Sequence, residues 1–184
     1  MAAVVLVPLA QGCEELEAVT IIDLLRRADI EVVTAGLDCE PIRASRGVTL
    51  VPDTDLDSAL QRDYDMVVLP GGAAGADNLN NDARISELLK KMADSGKFTA
   101  AICAAPKVLA ASGVLAGKQA TCYPGHIHAD NPYQVKLIND PVVVDGNIVT
   151  SRGPGTAMDF ALSLIELLVG RTRRDEVEAA LARP

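Results

Sequence analysis

The sequence predicts an α/β sandwich built on a mostly parallel sheet. Three observations carry this expectation. Residues 3–9, 31–36, 64–69 and 98–102 are short apolar runs of mainly β-branched or small side chains, which suits strands covered on both faces. Segments with apolar residues at helical spacing separate them, the alternation that gives a parallel sheet with flanking helices. The chain has 184 residues, 49% hydrophobic and only 3% aromatic. One domain spanning 1–184 is therefore long enough to bury roughly 70% of its unfolded surface, in a core of Val, Leu, Ile and Ala.

Residues 3–9 form the first strand. Gln11-Gly12-Cys13 turns the chain into a helix from Glu14 or Glu15 to about Ala28, with acids at its positive end. Projected at 100° per residue, Ala18, Ile21, Ile22, Leu24, Leu25 and Ala28 share an apolar arc, with Asp23, Arg26 and Arg27 opposite. Glu17 falls inside the arc and Glu15 on the polar side. An inward Glu17 needs a raised pKa and a specific partner; the alternative is that it reaches solvent over the helix end.

Residues 31–36 form the second strand, and 41–52 a hairpin with arms 42–44 and 48–51 turned at Ser45-Arg46-Gly47. Residues 57–60 allow one helical turn. The strand at 64–69 ends in Pro70-Gly71-Gly72, where glycines let backbone N–H groups approach a ligand. An amphipathic helix follows over 82–95, with Ile85, Leu88, Leu89 and Met92 inward, closed at Gly96. The strand at 98–102 delivers Cys103, and a helix runs over 107–111 after Ala104-Ala105-Pro106, proline suiting a first helical turn. Gly113 and Gly117 precede Gln119-Ala-Thr-Cys122, and a polar loop over 123–133 holds His126 and His128. Residues 142–150 form a hairpin around Asp145-Gly146. Ser151 to Thr156 leads into an apolar helix over 157–169, stopped at Gly170, and 175–182 forms a closing helix. The basic cluster Arg171-Thr172-Arg173-Arg174 complements a helix C-terminus.

A strand that stops at a cysteine among small residues and turns straight into a helix is the arrangement of a nucleophile elbow. Taken alone, Cys103 reads equally as a buried structural thiol. In parallel sheets, however, ligands bind beyond the carboxyl ends of the strands. Gln11 to Glu17, Pro70-Gly71-Gly72, Cys103-Ala104 and Gly153 to Thr156 all fall on that edge, so the elbow cysteine, the inward glutamate and two glycine-rich loops converge. A helix N-terminus and a carboxylic acid donor there imply a depressed Cys103 pKa.

Formal net charge is −8, which disfavours nucleic acid and anionic membrane surfaces. The N-terminal apolar run is too short for an export signal, and no stretch has transmembrane length, so the expected compartment is the cytoplasm. The four cysteines are scattered without metal-ligand spacing or a disulfide framework, so no metal is expected. Cys13, Cys39 and Cys122 read as small packing residues, with Cys13 a candidate to resolve an oxidised Cys103.

Ala101-Ile-Cys-Ala-Ala-Pro106, Val68-Leu-Pro-Gly-Gly72, Glu14-Glu-Leu-Glu-Ala-Val19 and Ser151-Arg-Gly-Pro-Gly-Thr156 together resemble the ThiJ/PfpI superfamily, in the branch of the parkinsonism-associated deglycase and its bacterial relatives. The resemblance covers nearly the whole chain. It implies a flavodoxin-like sandwich, a homodimer and chemistry without a cofactor. It also implies Cys103 as an oxidisable nucleophile and Glu17 as its protonated partner. Gly71, Gly72 and Ala104 would supply pocket backbone, and Arg46 and Arg27 would lie near the dimer interface. Tyr123, Pro154 and Gly155 would belong to the pocket or that interface. Tyr123 stands where the parkinsonism protein has histidine, leaving His126 or His128 as substitutes or as plain loop residues. Ala104 replaces the histidine of the proteolytic branch, which argues against a Cys-His protease, and the late His-x-Glu of glutamine amidotransferases is missing. The function expected is a deglycase or glyoxalase acting on methylglyoxal-type dicarbonyls or glycated protein or nucleotide. The alternative is a redox sensor or chaperone whose Cys103 is oxidised to sulfinate.

Overall fold

The computed structural model describes residues 3–183. Among the described residues its main sheet runs in the order Val142–Asp145, Ile148–Ser151, Phe98–Ile102, Met66–Leu69, Val4–Leu9, Glu31–Gly36 and Thr54–Asp55. The five strands that matter most are β1 (Val4–Leu9), β2 (Glu31–Gly36), β6 (Met66–Leu69), β7 (Phe98–Ile102) and β11 (Ile148–Ser151). They are mutually parallel, and counted by themselves they follow the 2-1-3-4-5 order of the flavodoxin-like sheet. Edge strand β5 (Thr54–Asp55) is parallel to β2, and β10 (Val142–Asp145) forms an antiparallel hairpin with β11. The lesser elements β3 (Ile42–Arg43) and β4 (Thr49–Leu50) make the expected hairpin, while β8 (Gln119–Ala120) and β9 (Lys136–Leu137) pair in parallel.

Helices cover both faces. One layer holds α1 (Glu15–Arg27), α6 (Ala157–Val169) and α7 (Arg171–Ala180). The other holds α3 (Ala73–Asn81), α4 (Ala83–Asp94) and α5 (Pro106–Ala111), while the single turn α2 (Leu56–Ala59) packs near β2 and β5. Between the layers Leu6, Ile21, Met66, Leu89, Ile102 and Phe160 are fully enclosed. No described helix is long and apolar enough to cross a membrane.

Four features depart from the sequence reading. The α3 helix takes a segment left without structure, because Gly75, Asp77, Asn78, Asn80 and Asn81 are poor helix formers. Tertiary contacts hold it: Leu79 is buried, Asn78 donates to Gln11 O at 2.8 Å, and Asp77 pairs with Lys107. The arginine cluster opens α7 instead of closing a helix, since Asp175, Glu176 and Glu178 lie within ion-pair reach of Arg171, Arg173 and Arg174. Cys39 is exposed, not packed. Glu15, placed on the polar side of α1, is buried beneath the β3–β4 hairpin, whose Arg46 and Val48 N–H groups and Ser45 hydroxyl donate to its carboxylate.

Candidate active site

The sheet brings the predicted residues to one edge. β7 ends at Ile102, and Cys103 takes φ 62° before the chain enters α5 through Ala104 and Ala105. A left-handed conformation is costly for a residue with a Cβ. Here its neighbours fix it from both sides: Cys103 N–H donates to Ser151 O at 3.0 Å, and Tyr123 N–H donates to Cys103 O at 2.9 Å. The chain thus passes from strand to helix through a left-handed turn at Cys103, a residue only 8% exposed.

Glu17 arrives from α1, fully buried, as its helical projection requires. Its Oε2 accepts the Gly71 N–H at 2.8 Å, Oε1 has no protein partner, and the carboxyl lies beside Cys103, whose thiol helps offset the upward push of burial. Gly71 is obligatory. A Cβ there would fall 2.6 Å from both Cys103 Cβ and Glu17 Oε2 and 2.9 Å from the backbone Ile102 O, which cannot retreat. Its N–H is committed to Glu17 and is not free for a ligand. Gly72 and Ala104 are the backbone donors that face the sulfur.

Burial raises the Glu17 carboxyl to about 7, in the direction its inward position implies. The thiol is also raised, to about 12, by burial and then by the charge of Glu17. This reverses the depressed value expected from the sequence. α5 is only six residues long, and desolvation beside a carboxylate outweighs the two N–H donors. The two groups therefore titrate as a pair, whose first proton leaves near pH 7. Cys13 is buried within the core, and desolvation is the main cause that pushes its thiol up to about 12.

Of the remaining predicted residues, Tyr123, Pro154 and Gly155 line a cavity of about 380 Å³ together with Arg152, Gly153 and Thr156. Arg46 is exposed on the hairpin turn, held through its backbone N–H by Glu15. Arg27 pairs with Asp23 at 2.6 Å, ten residues and so about 15 Å along α1 from Glu17. His126 sits behind Tyr123, ring centroids 6.1 Å apart and edge-on. Its pKa is lowered by burial and then by Lys107, which favours the neutral imidazole. His128 is exposed. The sequence reading did not single out Arg152 within its own motif, because nothing local distinguishes an unpaired arginine from a paired one.

Residues 3–167 match the model of the DJ-1/PfpI family. The chain belongs to that family. It is 48% identical over 183 residues to protein DJ-1alpha of Drosophila melanogaster, covering 96% of this chain and 82% of the relative. Glutathione-independent glyoxalase DJR-1.2 of Caenorhabditis elegans is 36% identical, with 91% and 89% covered. The crystal structure of Drosophila melanogaster DJ-1beta superposes over the full length of both chains with a TM-score of 0.93 at 42% identity. DJ-1/PfpI membership accords with the parallel sheet flanked by helices, and the family includes a protein named as a glyoxalase.

Proposed function

We propose that this DJ-1/PfpI protein is a cofactor-independent cysteine enzyme acting on dicarbonyls, with glyoxalase activity on methylglyoxal and deglycase activity on its adducts. The observation that carries the reading is the buried juxtaposition of Cys103 and Glu17 on either side of Gly71, where the Gly72 and Ala104 N–H groups favour the thiolate. Glu17, near neutrality as a base, takes the thiol proton while sulfur adds to the aldehyde carbon. The carbonyl electron pair moves to oxygen, and Glu17 returns a proton to it. Moving the former aldehyde hydrogen to the neighbouring carbon as a proton gives a thioester. Water cleaves that ester to lactate and restores the thiol, so methylglyoxal plus water balances the product. N–H donors beside the sulfur stabilise charge as it develops.

The same proposal includes a homodimer. Leu16 and Val19 on α1, with Val48 and Val51 on and beside the hairpin, are exposed apolar residues on elements that Glu15 ties together, and a second copy would cover them. Four free thiols suit a reducing cytoplasm.

The test follows lactate release from methylglyoxal by the wild type, Cys103→Ser and Glu17→Gln. Both substitutions are expected to abolish turnover; wild-type rates in either one would overturn the mechanism. A wild type without turnover that gains two oxygens on Cys103 under mild peroxide would belong instead with redox sensors.

A further inference from the structure

The cavity beside the elbow contains a cation that the proposed chemistry on methylglyoxal does not use. Among the described residues, eight of the eleven arginines form ion pairs. Arg43, Arg46 and Arg152 do not, and of these only Arg152 is drawn partly out of solvent. Its backbone N–H goes to Pro141 O, while its guanidinium has no hydrogen-bond partner among the described residues. In a chain with 25 acids and 17 bases, a half-buried arginine without a carboxylate stands out, and no acid lines the cavity it borders.

Two further groups connect this cation to the sulfur. Gly153 forms the shared wall: a Cβ built on it would lie 3.1 Å from Tyr123 Cδ2 and 4.0 Å from Cys103 Sγ. Tyr123 therefore stands over the Gly153 backbone with its ring in the cavity, and its hydroxyl has no protein partner among the described residues. The charge of Arg152 also reaches the neighbouring loop, where it opposes part of the upward push of burial on Cys122.

We infer that Arg152 and Tyr123 form a carboxylate subsite that selects dicarbonyl substrates carrying an acidic tail. The inference rests on the dicarbonyl reading for its substrate, while the subsite stands on geometry. The carbonyl end meets Cys103, the chain passes the Gly153 backbone, and the carboxylate lies against the guanidinium, which suits it in a bidentate pair. The phenol donates a further hydrogen bond. A Cβ at Gly153 would obstruct that passage. Arg152 is thus a specificity-determining residue, and neutral methylglyoxal leaves its charge unanswered.

Two measurements test this. The first compares kcat/KM for an α-oxoaldehyde bearing a propionate tail with that for methylglyoxal, in the wild type, Arg152→Met, Arg152→Lys and Tyr123→Phe. The anionic-to-neutral ratio should fall roughly tenfold to a hundredfold in Arg152→Met, the loss of one charge-assisted pair, with Arg152→Lys between it and the wild type and Tyr123→Phe showing a smaller fall. The second needs no turnover: levulinate, an unreactive oxo acid, should slow alkylation of Cys103 by iodoacetamide in the wild type and not in Arg152→Met, read by mass on the Cys103 peptide with the exposed Cys39 as internal reference. An unchanged ratio, or equal protection in both proteins, overturns the subsite. A wild type that turns over neither aldehyde overturns the dicarbonyl reading, and levulinate protection that depends on Arg152 then still upholds the subsite.

Discussion

Glu17 and Cys103 share one buried environment, and their protons cannot be assigned independently. Below about pH 7 both are neutral, and the first proton lost leaves a monoanion stabilised by the Gly71, Gly72 and Ala104 N–H groups. Alkylation of Cys103 should therefore accelerate as pH rises through about 7, and Glu17→Gln should move that inflection upward, because the buried thiol must then ionise alone. Stability follows the opposite sign. The folded state raises Glu17 above its ordinary 4.5 to about 7, so its favourable contribution is complete below pH 4.5 and is lost as pH climbs towards 7. The loss amounts to about 3 kcal/mol. Chemical denaturation at pH 5 and pH 8 should show this slope in the wild type and its near absence in Glu17→Gln. Helical periodicity was sufficient to find Glu17. It could not find the role of Glu15, which faces away from the sheet but meets the hairpin amides of Arg46 and Val48, a tertiary contact with no local signature.

Elements were legible wherever their pattern was internal. The α4 helix shows strong apolar periodicity, α6 is a long apolar run stopped at Gly170, and β2 and β7 fall on the predicted residues. By contrast β5 is two residues long, β8 and β9 exist only through each other, and α3 has a sequence that favours turns. These depend on neighbours that periodicity does not see. The elbow itself was readable from small residues and Pro106, although its left-handed cysteine needed coordinates. That conformation makes an unusual prediction. At φ 62°, Cys103→Ala keeps the Cβ strain and Cys103→Gly removes it. Glycine should therefore be the more stable replacement by about 1 kcal/mol, reversing the usual order within regular structure; equal melting temperatures for the two variants would mean the turn stores no strain.

At the scale of the molecule, the sheet explains where the site lies. The strand order reverses between β1 and β6, and their ladder stops at the Leu6–Val67 pair, two residues before Pro8, which has no N–H to extend it. The loops that follow these strands lie against each other, with Glu14 N–H donating to Gly71 O at 3.0 Å, and from the start of α1 Glu17 reaches Cys103 across the end of β6. Parallel order was implied by alternation along the sequence, whereas the position of the site along the sheet required the pairing. The exposed apolar face over α1 and the hairpin gives a prediction at the same scale. Leu16→Asp, or Val51→Asp at a residue 78% exposed, should convert a sedimenting dimer to monomer without lowering the folded fraction. A wild type that sediments as a monomer at micromolar concentration would remove the dimer from the proposal.

Gly71 also bears on how the molecule folds. Its backbone is wedged between Glu17 and Cys103, so the thiol acquires its native surroundings only when three separate stretches of chain have docked. An unfolded thiol titrates near its ordinary value, whereas the docked one follows the pair. In a refolding experiment Cys103 is therefore an intrinsic clock: its labelling rate at alkaline pH should collapse when β6 and β7 close over α1, while exposed Cys39 goes on reacting throughout and serves as the internal standard.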